Sequence, residues 1–194
     1  MPTPPHAAPR QALQERVAAA ILEAAARVLL VRGEQASMTD VAAAAGVARA
    51  TVYRYFPNRQ SLLDELARSA VRSAGDRLAS ARIDEIPVPD GITRAVRALV
   101  EVGDLFVVVA RERLRTEREQ FERDVGGPLR ALVERGQAAG DLRSDIPSAW
   151  LTDSLIGVVV GVVSSPLHHG QEDTIAAITS LYIDGARHPG VAAA

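Results

Sequence analysis

Cysteine is absent from the 194 residues, and so is lysine: all 22 basic side chains are Arg. Without Cys there is no disulfide, no thiolate metal site and no Cys nucleophile. Aromatic residues are scarce, at 4% against 47% apolar overall. A chain that is apolar chiefly through Ala, Val and Leu suits helices packed through small side chains better than a β-sandwich. No long hydrophobic run is present. The longest uncharged apolar stretch, Ser154 to Leu167, is shorter than the ~20 residues of a membrane-spanning helix. The opening MPTPPHAAPR has no apolar signal core, so a cytoplasmic location without membrane contact is expected. The formal net charge is only −2, which argues against a purely electrostatic binder of nucleic acid. Motifs of catalysis are missing as well: G-x-S-x-G, H-E-x-x-H, a P-loop and a dinucleotide fingerprint are not found. The four His sit near the chain ends and in one segment, His168-His169. No ligand cluster surrounds that pair, so neither an enzyme nor a metal or other cofactor is expected.

The charge that is present is unevenly placed. Residues 1–60 carry seven Arg and four acids, and residues 61–194 carry fifteen Arg and twenty acids. A mildly basic head therefore precedes an acidic body. Periodicity makes the whole chain helical, in about nine helices. Prolines in the first dozen residues suggest a disordered arm over 1–12. Leu13 to Arg32 reads as one amphipathic helix closed by Gly33. Ser37-Met38-Thr39-Asp40 resembles a capping box that opens a short helix from Met38 to Ala45. A third helix runs from about Ala48 to Tyr55 and stops at Pro57-Asn58. A longer one covers about Arg59 to Ala81, followed by a loop marked by Pro87, Pro89 and Gly91. Ile92 to Arg111 is helical, and the charged run 111–124 is expected to be an exposed helix face. Gly126-Gly127-Pro128 is a break before a helix from Leu129 to Gly140. Pro147-Ser148 opens a helix to Val163, Pro166 ends or kinks it, and a last helix covers about Glu172 to Gly185. The tail over 189–194 is expected to fray.

Two short helices joined by a Gly-containing turn, after a long first helix, suggest a helix-turn-helix. Ala42 and Gly46 are small where two helices must cross, and Val41, Val47 and Val52 are apolar where they must seal a core. Three of the seven aromatic residues, Tyr53, Tyr55 and Phe56, fall within four positions. The stretch resembles the DNA-binding domain of the TetR family of bacterial transcriptional regulators. The resemblance rests on Gly33, Ser37, Val41-Ala42, Ala45-Gly46-Val47, Ala50-Thr51, Tyr53, Tyr55-Phe56 and Arg59, and covers about residues 13–66. Two positions depart from the pattern: Arg59 stands where the family usually has Lys, and Ala48 where it usually has a Ser cap.

The resemblance implies a helix-turn-helix DNA-binding domain over 13–58 and a helical ligand-binding and dimerisation domain over 59–188. Chemistry distributes roles within the head. Arg49 suits a guanine edge, the Ala50 methyl suits a thymine methyl, and Arg54 and Thr39 are candidates for bases or phosphates. Thr51, Tyr53 and Arg59 are expected to grip phosphates and set register. The helix N-terminus at Ser37 adds anion affinity. Arg10 and Arg16 are expected to be solvated more than functional.

For the body the resemblance implies a homodimer, a pocket for a small-molecule effector, and double-stranded DNA as the other partner. The last two helices are the expected interface, with Leu151, Leu155, Val158, Val159 and Val162 facing Ile175, Ile178, Leu181 and Tyr182. Gly157 and Gly161 are spaced for close helix approach. Pocket candidates are Phe106, Val107, Leu114, Phe121, Leu132, Trp150 and Ser154, with Asp104 and Asp153 as polar positions. The function so implied is a repressor that binds an inverted-repeat operator as a dimer and is released by an effector. The competing reading is an interaction protein whose head no longer reads DNA.

Overall fold

The computed structural model describes residues 7–103, 108, 118–165 and 170–187, with 7–11 described by backbone only. The chain is all-α: among the described residues the one β feature is an isolated bridge between Leu142 and Arg187. Helix α1 spans Ala7–Arg32 and closes through a 3-10 turn at Gly33–Gln35, with Gly33 at φ 53°. It starts earlier than expected, so residues 7–12 are helix and not arm. Pro9 falls in the first turn, where its missing N–H has no partner to lose. Helices α2 (Met38–Ala45) and α3 (Arg49–Tyr55) follow, then α4 (Arg59–Ser80).

Helix α5 spans Val88–Val100. Pro89 and Gly91, expected in a loop, lie inside its first turn, where a proline costs no hydrogen bond. Gly91 is buried against Leu132 and the Ile83 carbonyl. The helix stops well short of Arg111. It is followed by a turn at 101–103 in which Gly103 has φ 68°, a conformation that ends helices. Helix α6 (Arg118–Phe121) then passes through a π-helical segment, Glu122–Gly126, into α7 (Gly127–Ala139). Gly126-Gly127-Pro128 is thus not a break. The wider π turn absorbs Pro128, whose ring would collide with the carbonyl four residues back in a regular helix. Gly140, at φ 81°, ends α7. Helices α8 (Ser148–Val163) and α9 (Gln171–Ala186) complete the body.

Two cores form. The head core holds Ile21, Ala25 and Leu29 of α1, Val41 of α2, Val52 and Phe56 around α3, and Leu62, Leu63 and Leu66 of α4. The body core holds Val71, Ala74 and Leu78 of α4 with apolar faces of α5, α7, α8 and α9. Helix α4 therefore belongs to both, and the sequence boundary at 58/59 does not separate the cores. Val108 from the body chain is also buried in the head cluster. Ion pairs tie the body's outer surfaces: Arg77 to Glu101 at 2.9 Å between α4 and the α5 end, and Arg97 to Glu172 between α5 and α9.

The last two helices correct the expected interface. Leu151, Leu155, Val159, Ile175, Ile178 and Tyr182 are at most 5% exposed and lie in the protomer's own core. Val158 and Val162 are half-buried and pack against the same core. These faces are occupied because α8 and α9 pack on each other and on α5, with the Tyr182 hydroxyl donating to the Leu151 carbonyl at 3.1 Å.

Candidate nucleic-acid interface

The head presents one consistent outer face. Ser37 caps α2: its Oγ accepts from the Asp40 N–H at 3.1 Å, and its own N–H donates to the Asp40 carboxylate at 3.0 Å. The Ser37 hydroxyl also donates to Asp40 at 2.6 Å, and Arg32 pairs with the other carboxylate oxygen. The Ser37 side chain foremost, then its backbone N–H and Arg32, hold the Asp40 carboxyl below its ordinary range. Thr39 is exposed in the first turn of α2.

Between α2 and α3, Gly46 has φ 66° and its N–H bonds back to the end of α2. A Cβ at Gly46 would meet nothing within 4 Å. Its smallness is therefore not needed for helix crossing, as expected above; its left-handed backbone is. Helix α3 then buries Val52 completely and sets Arg49, Ala50, Tyr53 and Arg54 outward. Thr51 is half-buried, Phe56 is core, and Tyr55 packs at the core's edge. Ala48 caps α3 without any side-chain hydrogen bond, as its identity requires.

Arg49 is held over Tyr53. Its guanidinium carbon lies 5.3 Å from the ring centroid, and Nη2 donates to the Tyr53 hydroxyl at 3.3 Å. The hydroxyl accepts in that bond and keeps its proton to give. Arg54 lies 5.2 Å from the Tyr55 ring centroid. Arg59 is half-buried at the start of α4. That start has a full capping box between Asn58 and Ser61, a pattern that the Pro57-Asn58 stop signal obscured in the sequence. An exposed helix carrying two Arg, a Tyr and a small residue has the shape and donors for a major groove, and the hydroxyls of Thr39 and Thr51 and the Arg59 guanidinium are groups that suit phosphates.

Among the described residues, the expected effector positions Phe121, Trp150, Asp153 and Ser154 do not share one pocket. Trp150 is 70% exposed, and Asp153 and Ser154 are exposed beside it. The Ser154 hydroxyl donates to the Trp150 carbonyl within the helix. Phe121 is half-buried against the body core. Asp104, Phe106, Val107 and Leu114 lie outside the described residues, as do His168-His169. The body instead opens a cavity of about 1010 Å³ beside α4, walled by the turn after it, the π segment and α7. Of the expected positions among the described residues, only Leu132 lines it. No sequence signal marks this cavity, because it exists through the path of the π segment. Among the described residues no His, Asp or Glu group is clustered to hold a metal ion, and no helix is long and apolar enough to cross a membrane.

Comparison with known proteins converges on this geometry. The sequence model for bacterial regulatory proteins of the tetR family matches residues 21–66, which span the head core. The HTH-type transcriptional repressor LfrR of Mycolicibacterium smegmatis is 34% identical over 139 residues, covering 71% of this chain and 72% of LfrR. The crystal structure of the TetR-like regulator LfrR from Mycobacterium smegmatis in complex with proflavine superposes with a TM-score of 0.69 at 24% identity. It covers 92% of this chain and 99% of the other. The structure of AibR with isovaleryl coenzyme A and operator DNA gives a TM-score of 0.68 at 19% identity, covering 85% and 97%.

Proposed function

The chain belongs to the tetR family of bacterial regulatory proteins, and on that premise we propose that it is a cytoplasmic repressor. It binds an inverted-repeat operator as a homodimer and leaves the DNA when a small molecule occupies its body. The observation that carries the reading is the outward face of α3. Arg49, Ala50, Tyr53 and Arg54 are presented together by a closed three-helix core. Arg49 reads a base edge, and Tyr53, Thr51 and Arg59 hold phosphates on either side.

The dimer uses the outer faces of α8 and α9, not the buried faces named from the sequence. Trp150, Ser154, Gly157 and Gly161 recur at helical spacing on the exposed side of α8. A Cβ at Gly157 or Gly161 would meet nothing within 4 Å in the protomer. Leu181, 64% exposed, and Ala177 are on the open side of α9. An exposed Trp and Leu around two open glycines is apolar surface that a second copy covers.

Release runs through α4, which is embedded in both cores. A ligand that prefers one α4 position shifts the spacing of the two heads, and DNA and ligand then weaken each other by the same factor. AibR, whose structure holds both a coenzyme A thioester and operator DNA, and LfrR, whose structure holds proflavine, support a body that takes small molecules.

The deciding experiment is selection of bound sites from random duplexes with the full chain, followed by anisotropy at two salt concentrations. An inverted repeat is expected, with affinity falling steeply as salt rises, by a log–log slope of about −0.9 per phosphate contact. Absence of any enriched sequence would overturn the regulator reading and favour an interaction protein with a silent head.

A further inference from the structure

We propose that the outer face of α1 is a self-association surface through which the heads of two dimers on adjacent operators touch, so that the second dimer binds more tightly than the first. The contact itself stands on α1 alone; its use on DNA rests on the regulator reading above.

The inner face of α1 is committed to the head core through Ile21, Ala25 and Leu29. The opposite face is open. Arg16, Ala20, Glu23, Arg27 and Val31 are all exposed and follow one another by four, three, four and four residues, the spacing of a single helical stripe. Val31 is 85% exposed, the most exposed of the large apolar side chains among the described residues. Glu34 is exposed in the turn that closes the helix. Glu23 and Arg27 stand at a spacing that favours a pair within one helix. Even so, the side chains of Arg16, Glu23, Arg27 and Glu34 form no ion pair among the described residues. The stripe therefore presents two uncommitted charges of each sign beside an uncovered valine.

The order of these charges is self-complementary. A two-fold axis crossing the stripe level with residue 25 sets a second α1 antiparallel to the first, and residues equally far from 25 then meet. Glu23 and Arg27 are each two residues away, so a Glu23–Arg27 pair forms on both sides of the axis. Arg16 and Glu34 are each nine away and come within reach of each other at either end. Between them Ala20, five away, meets Val31, six away, so a small side chain receives the exposed valine. A parallel pairing would set Glu23 on Glu23 and Arg27 on Arg27, so charge selects the antiparallel one. Six residues a side is far below the roughly 20–30 of a stable interface, so dimers in dilute solution stay apart. Two dimers bound to one duplex are held at high local concentration, where four exposed ion pairs suffice for a roughly tenfold gain. Helix α1 packs on α2 and α4, and α3 packs on α2. The stripe thus shares no residue with the reading face of α3, and both faces can be occupied together.

The test titrates the full chain onto duplexes carrying one or two copies of the selected operator, with the spacing of the two stepped through a helical turn. At the matching spacing the second dimer is expected to bind about tenfold tighter than a dimer on a lone site, a difference of about 1.4 kcal/mol that shrinks as salt rises. Glu23→Arg and Arg27→Glu each put like charges across the axis and are expected to abolish the gain. The double substitution Glu23→Arg/Arg27→Glu reverses both signs, keeps the complementarity and is expected to restore it. Taking the ratio of two-site to one-site affinity removes any general effect of charge on DNA binding. Both positions are exposed, so thermal unfolding should stay close to wild type. No gain at any spacing, a gain that survives the single substitutions, or one that the double variant fails to restore overturns the contact on DNA. Without DNA, the two single variants are mixed at high concentration. The mixture sets Arg against Glu at both central pairs and is expected to sediment as larger assemblies than either variant alone. A mixture that sediments as the sum of its parts overturns the surface itself. Failure of site selection overturns the regulator reading while the mixing experiment still decides the surface.

Discussion

Arg49 and Tyr53 form the smallest unit of the proposed DNA-reading face. The guanidinium stacks on the ring and donates to its hydroxyl, so Arg49 is pre-oriented before DNA arrives and loses less rotamer freedom on binding. Arg49→Ala is expected to reduce discrimination at one base pair of each half-site by about 1–3 kcal/mol while leaving affinity for unrelated duplex nearly intact. Tyr53→Phe keeps the stack and removes the hydroxyl, so operator and unrelated duplex should weaken together. Competition anisotropy with single-base operator variants separates the two, and equal loss on all sequences for Arg49→Ala would refute its reading role. Ala48 offers a second test, because α3 begins without a side-chain cap. Ala48→Ser is expected to stabilise the head by about 0.5–1 kcal/mol in urea unfolding, since a serine Oγ there can accept an orphan N–H. Both sites were legible in the sequence because they follow from local rules: Val52 and Phe56 inward fixes Arg49 and Tyr53 outward on so short a helix. Asp40 was legible in the same way, through the spacing from Ser37. The exposure of Trp150, expected to line a pocket, was not, because a tryptophan on an apolar helix reads as covered until the packing of its neighbours is known.

Elements show the same division between local and long-range information. Helices α2, α3 and α4 carry their own start and stop signals, and their bounds were read nearly to the residue. Helix α5 was misplaced at its start because Pro89 and Gly91 are ambiguous, since the first turn of a helix tolerates what its interior rejects, and at its end because Gly103, read as part of the helix, turns left-handed at φ 68°. The passage from α6 to α7 was misread for a deeper reason, since a π turn leaves no periodic mark and is stabilised by what it packs against. Capping also sets the head's response to acid. Asp40 is held below its ordinary value of 3.8, chiefly by the Ser37 hydroxyl and backbone N–H and then by Arg32. Burial alone would raise Glu65, yet hydrogen bonds from Arg72 and Arg68 carry it below 4.5. A carboxylate depressed in the folded state stabilises above its unfolded pKa and loses that contribution as pH falls through the folded one. Asp40→Asn is therefore expected to lower the unfolding midpoint near neutral pH and to converge with wild type between about pH 5 and about pH 2. A constant gap across that range would mean that the Asp40 charge contributes nothing to the cap. Above about pH 10 the opposite sign applies to Tyr182, whose buried hydroxyl is pushed up to about 12: neutral in the core, it costs stability once the unfolded chain can ionise.

At the scale of the whole molecule, the proposed reading of an inverted repeat requires two heads at a fixed separation, so it depends on how two bodies meet. The buried positions on α8 and α9 were read as interface because apolar periodicity reports only that a face is covered, not by which copy. The protomer's core uses that face, and what remains outward is Trp150, Ser154, Gly157 and Gly161 on α8 with Leu181 on α9. Gly157→Arg separates the two ways of explaining these glycines. Inside the protomer a Cβ there meets nothing within 4 Å, and replacing a mid-helix glycine adds about 0.5–1 kcal/mol of helix preference. A chain that works as a monomer should therefore tolerate the substitution and unfold at a slightly higher temperature. A dimer joined through this stripe cannot hold two facing arginines against a dry contact: the like charges repel and their desolvation is uncompensated. The expected result is a folded monomer by sedimentation, with an unchanged helical circular dichroism spectrum. Operator affinity should fall towards that of one head on one half-site, because the second half-site no longer binds at the effective concentration the dimer provides. Wild-type sedimentation and full operator affinity in the variant would place the dimer contact elsewhere on the body.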